Sequence, residues 1–230
     1  MRLCVRMETH FGVGAHGAHE QTHPVIVTVQ PALTDRNRLT CFFRFFLALP
    51  HILLVGGPIA FALSVGSGDD AGVHWGSAGV LGVVAAVVSF IAWFAIIFGG
   101  NYPPGLWNLA AMYVRWRVRA VAYLTLLRDE YPPFGEGPYP AVVRVMPQAQ
   151  PRDRLTVAFR LILAIPHIIC VWLLGIAWAF TTIIAWFAIL FTGRYPRALY
   201  DFGVGVLRWN ARLEVYLLLL RDEYPPFSLD

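Results

Sequence analysis

The chain has 230 residues, 57% hydrophobic and only 14% charged, with a mean hydropathy of +0.58; this exceeds what a soluble fold needs and points to lipid. Its net charge of +4 comes from 18 arginines without a single lysine, interleaved with Leu, Ile and Phe instead of gathered on a polar face, which sets nucleic acid aside as a partner. Cys4, Cys41 and Cys170 have no CxxC spacing, and two of them sit in apolar runs, so neither a disulfide nor a zinc site is expected.

Residues 1–23 are rich in Gly and His and read as a flexible leader. They lack the continuous apolar stretch of a signal peptide, so insertion is expected to depend on internal helices, and Met7 is an alternative start. His16, His19 and His23 have a metal-like spacing but no scaffold or Cys partners, and no metal is expected there. PVIVTVQP (24–31) then reads as a short strand bracketed by proline. PAVVRVMP (140–147) repeats the pattern, and the liability of unpaired edges predicts that the two strands pair across a pseudo-symmetry axis.

The rest of the chain is also duplicated. Residues 91–134 and 184–227 align without a gap at 25 of 44 positions, and RLTCFFRFFLALPHI from Arg38 matches RLTVAFRLILAIPHI from Arg154. Two copies of one supersecondary unit follow, at 24–134 and 140–227. The offset between copies is 116 up to His51 and 93 from Ile91, so copy one carries 23 extra residues, placed at about 56–79 with the polar part GSGDDAGVHWGS at 66–77.

Polar starts at Thr34–Asn37 and Arg152–Asp153 lead into long apolar runs. The second run, Leu155 to Thr192, covers about 57 Å as one helix against a hydrocarbon core of ~30 Å, so each copy is expected to fold back as a transmembrane helical hairpin. The apices are placed near 66–77 and near Leu174–Ile176. No arginine lies between Arg44 and Arg115 or between Arg160 and Arg194, which predicts an inner (cytoplasmic) membrane protein with cytoplasmic hairpin bases and an external tip holding Asp69 and Asp70.

A third helix starts after NYPP (101–104) or RYPR (194–197) and ends at RDEYPPF (128–134 and 221–227). Its polar stripe of Asn108, Arg115 and Arg119, or Asp201, Arg208 and Arg212, lies on one face. Arginines at a bilayer centre are expensive, so an interfacial helix and four spans are expected in preference to six spans with inverted repeats. The fold class is therefore an all-α integral membrane protein of two tandem repeats, each a short strand, a hairpin and a third amphipathic helix, interfacial or spanning.

The phrases R-L-T-x-x-F-R-x-x-L-A-[IL]-P-H, I-A-W-F-A-I-[IL]-F-x-G-x-Y-P and L-R-D-E-Y-P-P-F resemble the bacterial membrane family of the domain of unknown function 4389, common in actinobacteria, in a two-copy form covering His23 to Asp230. The resemblance implies a multi-helix inner-membrane protein and no agreed activity.

Candidate residues fall into three groups. Arg44 with His51, and Arg160 with His167, are intramembrane polar pairs seven residues apart, each beside a kinking proline. Their histidines are expected to brace the kink by bonding a freed carbonyl or a tyrosine; haem ligation or a quinone proton relay is the functional alternative. Arg115, Arg119, Arg208 and Arg212 are candidates to bind lipid phosphate, against internal pairing with the acids of RDEYPPF, Asp201 or Glu214. The RDEYPPF motifs read as helix ends with charges in water and Tyr and Phe anchored at the interface. No catalytic set accompanies them, so the chain is read as no enzyme, with no cofactor.

The expected function is a non-enzymatic structural or accessory component packing against lipid, including anionic lipid, or against a membrane-protein partner or a second copy of itself. Small residues such as Gly56, Gly57, Gly203 and Gly205 permit close helix approach. The alternatives are a small transporter or channel lined by the His and Arg pairs, and a haem or quinone redox subunit.

Overall fold

The computed structural model describes residues 23–58, 62–64, 72–74, 79–148 and 152–230. In chain order the elements are β1 (Val25–Val29), α1 (Arg38–Phe42), α2 (Arg44–Val55), β2 (Ala62–Ser64), β3 (Gly72–His74), α3 (Gly79–Gly99), α4 (Pro104–Leu124), β4 (Ala141–Val145), α5 (Arg154–Ala158), α6 (Arg160–Thr192) and α7 (Arg197–Leu217). The leader, with His16 and His19, and the tip holding Asp69 and Asp70 lie outside the described residues.

Local chemistry sets the boundaries. The side chain of Asn37 accepts from the backbone N–H of Leu39 and Thr40, and Asp153 does the same for Leu155 and Thr156, so both repeats start their apolar run with an N-cap. Pro103 and Pro196 occupy the N-cap positions of α4 and α7. Those helices end by turning through Leu126 (φ 65°) and Leu219 (φ 62°), a left-handed conformation held by deep burial of both leucines.

The two proline-bracketed strands do pair. β1 and β4 are antiparallel with Val27 opposite Val143 at the centre, and these two valines are each other's counterparts in the repeat (143 − 27 = 116). The pseudo-twofold axis therefore passes through the middle of the ribbon.

The helical hairpins do not form. α6 is one helix of 33 residues, and its buried stripe of Val171, Gly175 and Trp178 runs straight through the expected apex. Leu174–Ile176 has no residue free to reverse the chain, because its lone glycine is packed within that stripe. In copy one, α2 and α3 together also make 33 residues (12 + 21). Val55 corresponds to Val171 and Gly79 to Trp172, so the 23-residue insertion occupies 56–78, between two consecutive positions of a single rod. Gly79 abuts the end of α2 so closely that a Cβ there would lie 2.5 Å from Gly56 N and 2.7 Å from Leu54 C; with φ at +69°, only glycine fits. Beyond the break the rod continues along α4, with Ala92 and Ile96 packed near Leu106 and Trp107. Within the insertion, β2 and β3 pair as a small antiparallel ribbon.

The rods run antiparallel and bind each other's ends. Trp186 Nε1 at the end of α6 donates to Cys41 O (3.1 Å), and Trp93 Nε1 at the end of α3 donates to Val157 O (3.1 Å). Arg38 lies against Gly193 and Arg154 against Gly100. Arginines thus stand at both ends of each rod, which removes the basis for cytoplasmic hairpin bases and an external tip.

The third helices form the centre of the molecule instead of lying apart at an interface. α4 and α7 are the most buried elements, covered on one side by the rods and on the other by the β1–β4 ribbon and the segments that follow each helix. Hydrophobic burial on both sides, not headgroup contact, holds them in place.

The insertion gives a direct test of the rod. Deleting residues 56–78, with Gly79→Ala to restore helix propensity, is expected to give a folded protein whose helical fraction rises. Removing the closure entropy of such a loop is worth about 2–3 kcal/mol, against which the contacts made at its base are lost. Circular dichroism and a thermal melt in detergent check this; an unfolded product would mean that α2 and α3 are not two parts of one helix.

Candidate functional site

Two equivalent charge clusters sit at opposite ends of the molecule. In the first, Asp129 accepts from Arg36 (Nη2 to Oδ1, 2.7 Å) and from Arg44 Nη2. Arg44 also donates to Tyr123 O (3.0 Å) and Arg128 O, its guanidinium 4.3 Å over the Tyr123 ring. In the second, Asp222 accepts from Arg160 (2.5 Å), Arg152 (2.8 Å) and Gln148 (2.7 Å). Arg160 donates to Tyr216 O and Arg221 O, 3.0 Å each. The arginine at the start of each rod thus closes the open carbonyls at the end of the third helix, where a cation is favoured. Burial raises the Asp222 carboxyl, but the hydrogen bond and charge of Arg160 with Arg152 more than reverse this and hold it below the usual aspartate range.

This geometry departs from the reading of RDEYPPF as charges in water at its aspartates, while Tyr131, Phe134, Tyr224 and Phe227 keep an exposed side. Asp129 and Asp222 are turned inward as counter-ions, and only Glu130 and Glu223 reach outward, paired with Arg128 and Arg221. The aromatic part folds back onto the histidines. His51 stacks on Phe134 (4.5 Å between ring centres) and His167 on Phe227 (3.9 Å). Each imidazole Nδ1 accepts from a tryptophan Nε1, Trp116 or Trp209, at 3.1 Å. Each histidine thus takes a tryptophan as its Nδ1 partner, where a freed carbonyl or a tyrosine was expected. An accepting Nδ1 places the proton on Nε2 of a neutral ring. The arginine and histidine of each repeat do share one buried stripe, but each histidine is enclosed by its own repeat, and the structure does not bring the two together.

Three of the four stripe arginines have partners within the chain, other than those expected. Arg115 pairs with Glu136 (2.6 Å), and Arg119 donates to Gly135 O (3.0 Å). Arg208 donates to Val27 O (3.2 Å). Arg212 is buried, with Nε and Nη1 lacking a hydrogen-bond partner among the described residues.

A third constellation, absent from the repeat pattern, lies between the copies. Arg117 Nε meets Glu214 Oε1 at 3.1 Å, their side chains 1% and 8% exposed, and the Tyr113 hydroxyl also bonds Glu214. Arg117 Nη2 donates to Gly57 O (2.8 Å) and Nη1 to Val55 O (3.4 Å), while Asn210 Nδ2 donates to Pro58 O (3.4 Å). These carbonyls lie where the insertion interrupts the rod; Arg117 serves those of Val55 and Gly57, and Asn210 that of Pro58. The signal in the sequence was a departure from symmetry: Arg117 and Val121 stand where copy two has Asn210 and Glu214. No group of His, Cys, Asp and Glu able to hold a metal occurs among the described residues.

No curated protein and no solved structure matches the chain. The family described as domain of unknown function (DUF4389) matches residues 73–135 and again 154–228, two segments that contain the end of one rod or the whole of the other, together with the third helix and its returning tail. With more than half of its length matched, and matched twice, the chain belongs to this family of domain of unknown function 4389 in two-repeat form.

Proposed function

We propose that the protein is a non-enzymatic structural or accessory component of the inner (cytoplasmic) membrane that packs its two rods against lipid or a membrane-protein partner. The observation that carries this is the distribution of exposed apolar side chains. Leu53, Phe98, Leu155, Leu161 and Phe191 are each at least 68% exposed, and most other large exposed hydrophobic residues also lie on α1–α3 and α5–α6. A continuous apolar surface of this extent marks a membrane or protein contact. α3 and α6 are each long and apolar enough to cross a membrane.

The charged groups support a structural role. Arg44 and Arg160 sit at opposite ends of the molecule on separate aspartates, an arrangement that suits bracing better than a shared transport path. Each histidine has its Nδ1 occupied by an indole and its face covered by a phenyl ring, which suits packing better than axial ligation.

Alkaline and high-salt washing of membranes, followed by native mass spectrometry of gently solubilised protein, tests the proposal. Retention through the washes and bound lipid or a second polypeptide are expected. Release into the wash, or bare monomer alone, would overturn it.

A further inference from the structure

We infer that the chain lies along a single leaflet, its rods in the plane of the membrane and its β1–β4 ribbon in water. This rests on the membrane reading above and fixes how that reading is realised.

The position of the ribbon separates a flat from an upright molecule. Val27, at the ribbon centre, accepts from Arg208, and Arg208 lies next to the midpoint of α7. β4, its twofold counterpart, packs against α4. The ribbon therefore crosses the central helices at mid-length, on the side away from the rods.

Upright rods would carry the ribbon to the middle of the hydrocarbon. Among the described residues no third strand covers either outer edge of this two-stranded sheet, and Thr28 and Arg144 are exposed on it. Open sheet edges do not occur against lipid, because nothing there satisfies their N–H and C=O groups, and an exposed arginine at that depth adds a further penalty. Rods of about 50 Å also exceed the ~30 Å core they would have to fit.

Lying flat, the molecule meets neither conflict. Among the described residues the outward face of the rods is apolar from Leu39 to Leu53, from Val80 to Phe98 and from Leu155 to Phe191. A groove of about 570 Å³ between the rods opens onto that face, lined by Phe42, Phe45, Trp178 and Ile183, and has the character of an acyl-chain slot. Exposed Arg38, Arg154 and Arg194 stand at the rod ends, where a flat molecule brings all of them to the phosphates of one leaflet. Lipid-phosphate contact thus passes from the internally engaged stripe of Arg115, Arg119 and Arg208 to these end arginines.

Single-cysteine variants Thr28→Cys, Arg38→Cys and Arg154→Cys of the full chain, with Cys4, Cys41 and Cys170 changed to Ser, test the orientation. Each is treated with a membrane-impermeant maleimide in spheroplasts and in inside-out vesicles. All three positions are expected to label in the same preparation and to lose labelling in the other. Labelling of positions 38 and 154 from opposite sides, with position 28 protected, overturns the inference while leaving the protein a membrane component. Recovery of the chain in the soluble fraction refutes the membrane reading itself.

Discussion

Replacing Glu214 by alanine is expected to destabilise the protein by about 3–5 kcal/mol, because it leaves Arg117 buried without a counter-charge. Arg117 has nowhere to turn: its other nitrogens are committed to Val55 O and Gly57 O at the interrupted rod. Glu214→Gln, which keeps an acceptor of the same shape but not the charge, is expected to cost less. Chemical denaturation in detergent, followed by tryptophan fluorescence, measures both. A loss under about 1 kcal/mol for the alanine variant would show that the pair is not the buried support described, since that is the range of an exposed ion pair.

Asp222→Ala is expected to have a comparable effect, about 3–5 kcal/mol, since Arg152 and Arg160 then share one end of the molecule with no acid between them. The same carboxylate predicts acid lability. Its folded pKa lies below the ordinary value of 3.8, so the stabilisation is fully present above that value and is lost as pH falls through the lower, folded one. Thermal stability is therefore expected to be flat above about pH 5 and to decline below about pH 4, with a shallower acid slope in Asp222→Asn. Glu130 and Glu223 are also shifted down, each by its neighbouring arginine against the effect of burial, but both carboxylates are half exposed and contribute little. An unchanged acid slope in Asp222→Asn would place the origin of the lability elsewhere.

The sequence made the duplication, the capping residues and the strand pairing legible because each is written in local or repeated residues. Asn37 and Asp153 precede their apolar runs, and both strands carry the same proline brackets. The hairpins were misread because helix length was compared with bilayer thickness on the assumption of an upright helix. The periodicity already argued otherwise: His167, Val171, Gly175 and Trp178 keep one stripe where a turn was expected. For the site, the spacing of Arg44 and His51 was enough to put both on one buried face. Their partners were not readable, because Asp129 and Phe134 arrive from a tail about 85 residues away that folds back onto the rod. Arg117 and Glu214 were harder still, each charged in only one copy and therefore invisible to an argument from repetition.

The crossed contacts between copies carry a consequence for the origin and assembly of the chain. Each half lends its strand, its first short helix and an end arginine to the other, so half a chain has no partner for its strand and no closure for the end of its rod. The same surfaces on two separate halves are mutually complementary, the relation found in a two-fold homodimer. Joining such halves through residues 135–140 makes their meeting intramolecular, and the assembly then forms at a rate independent of how dilute the protein is.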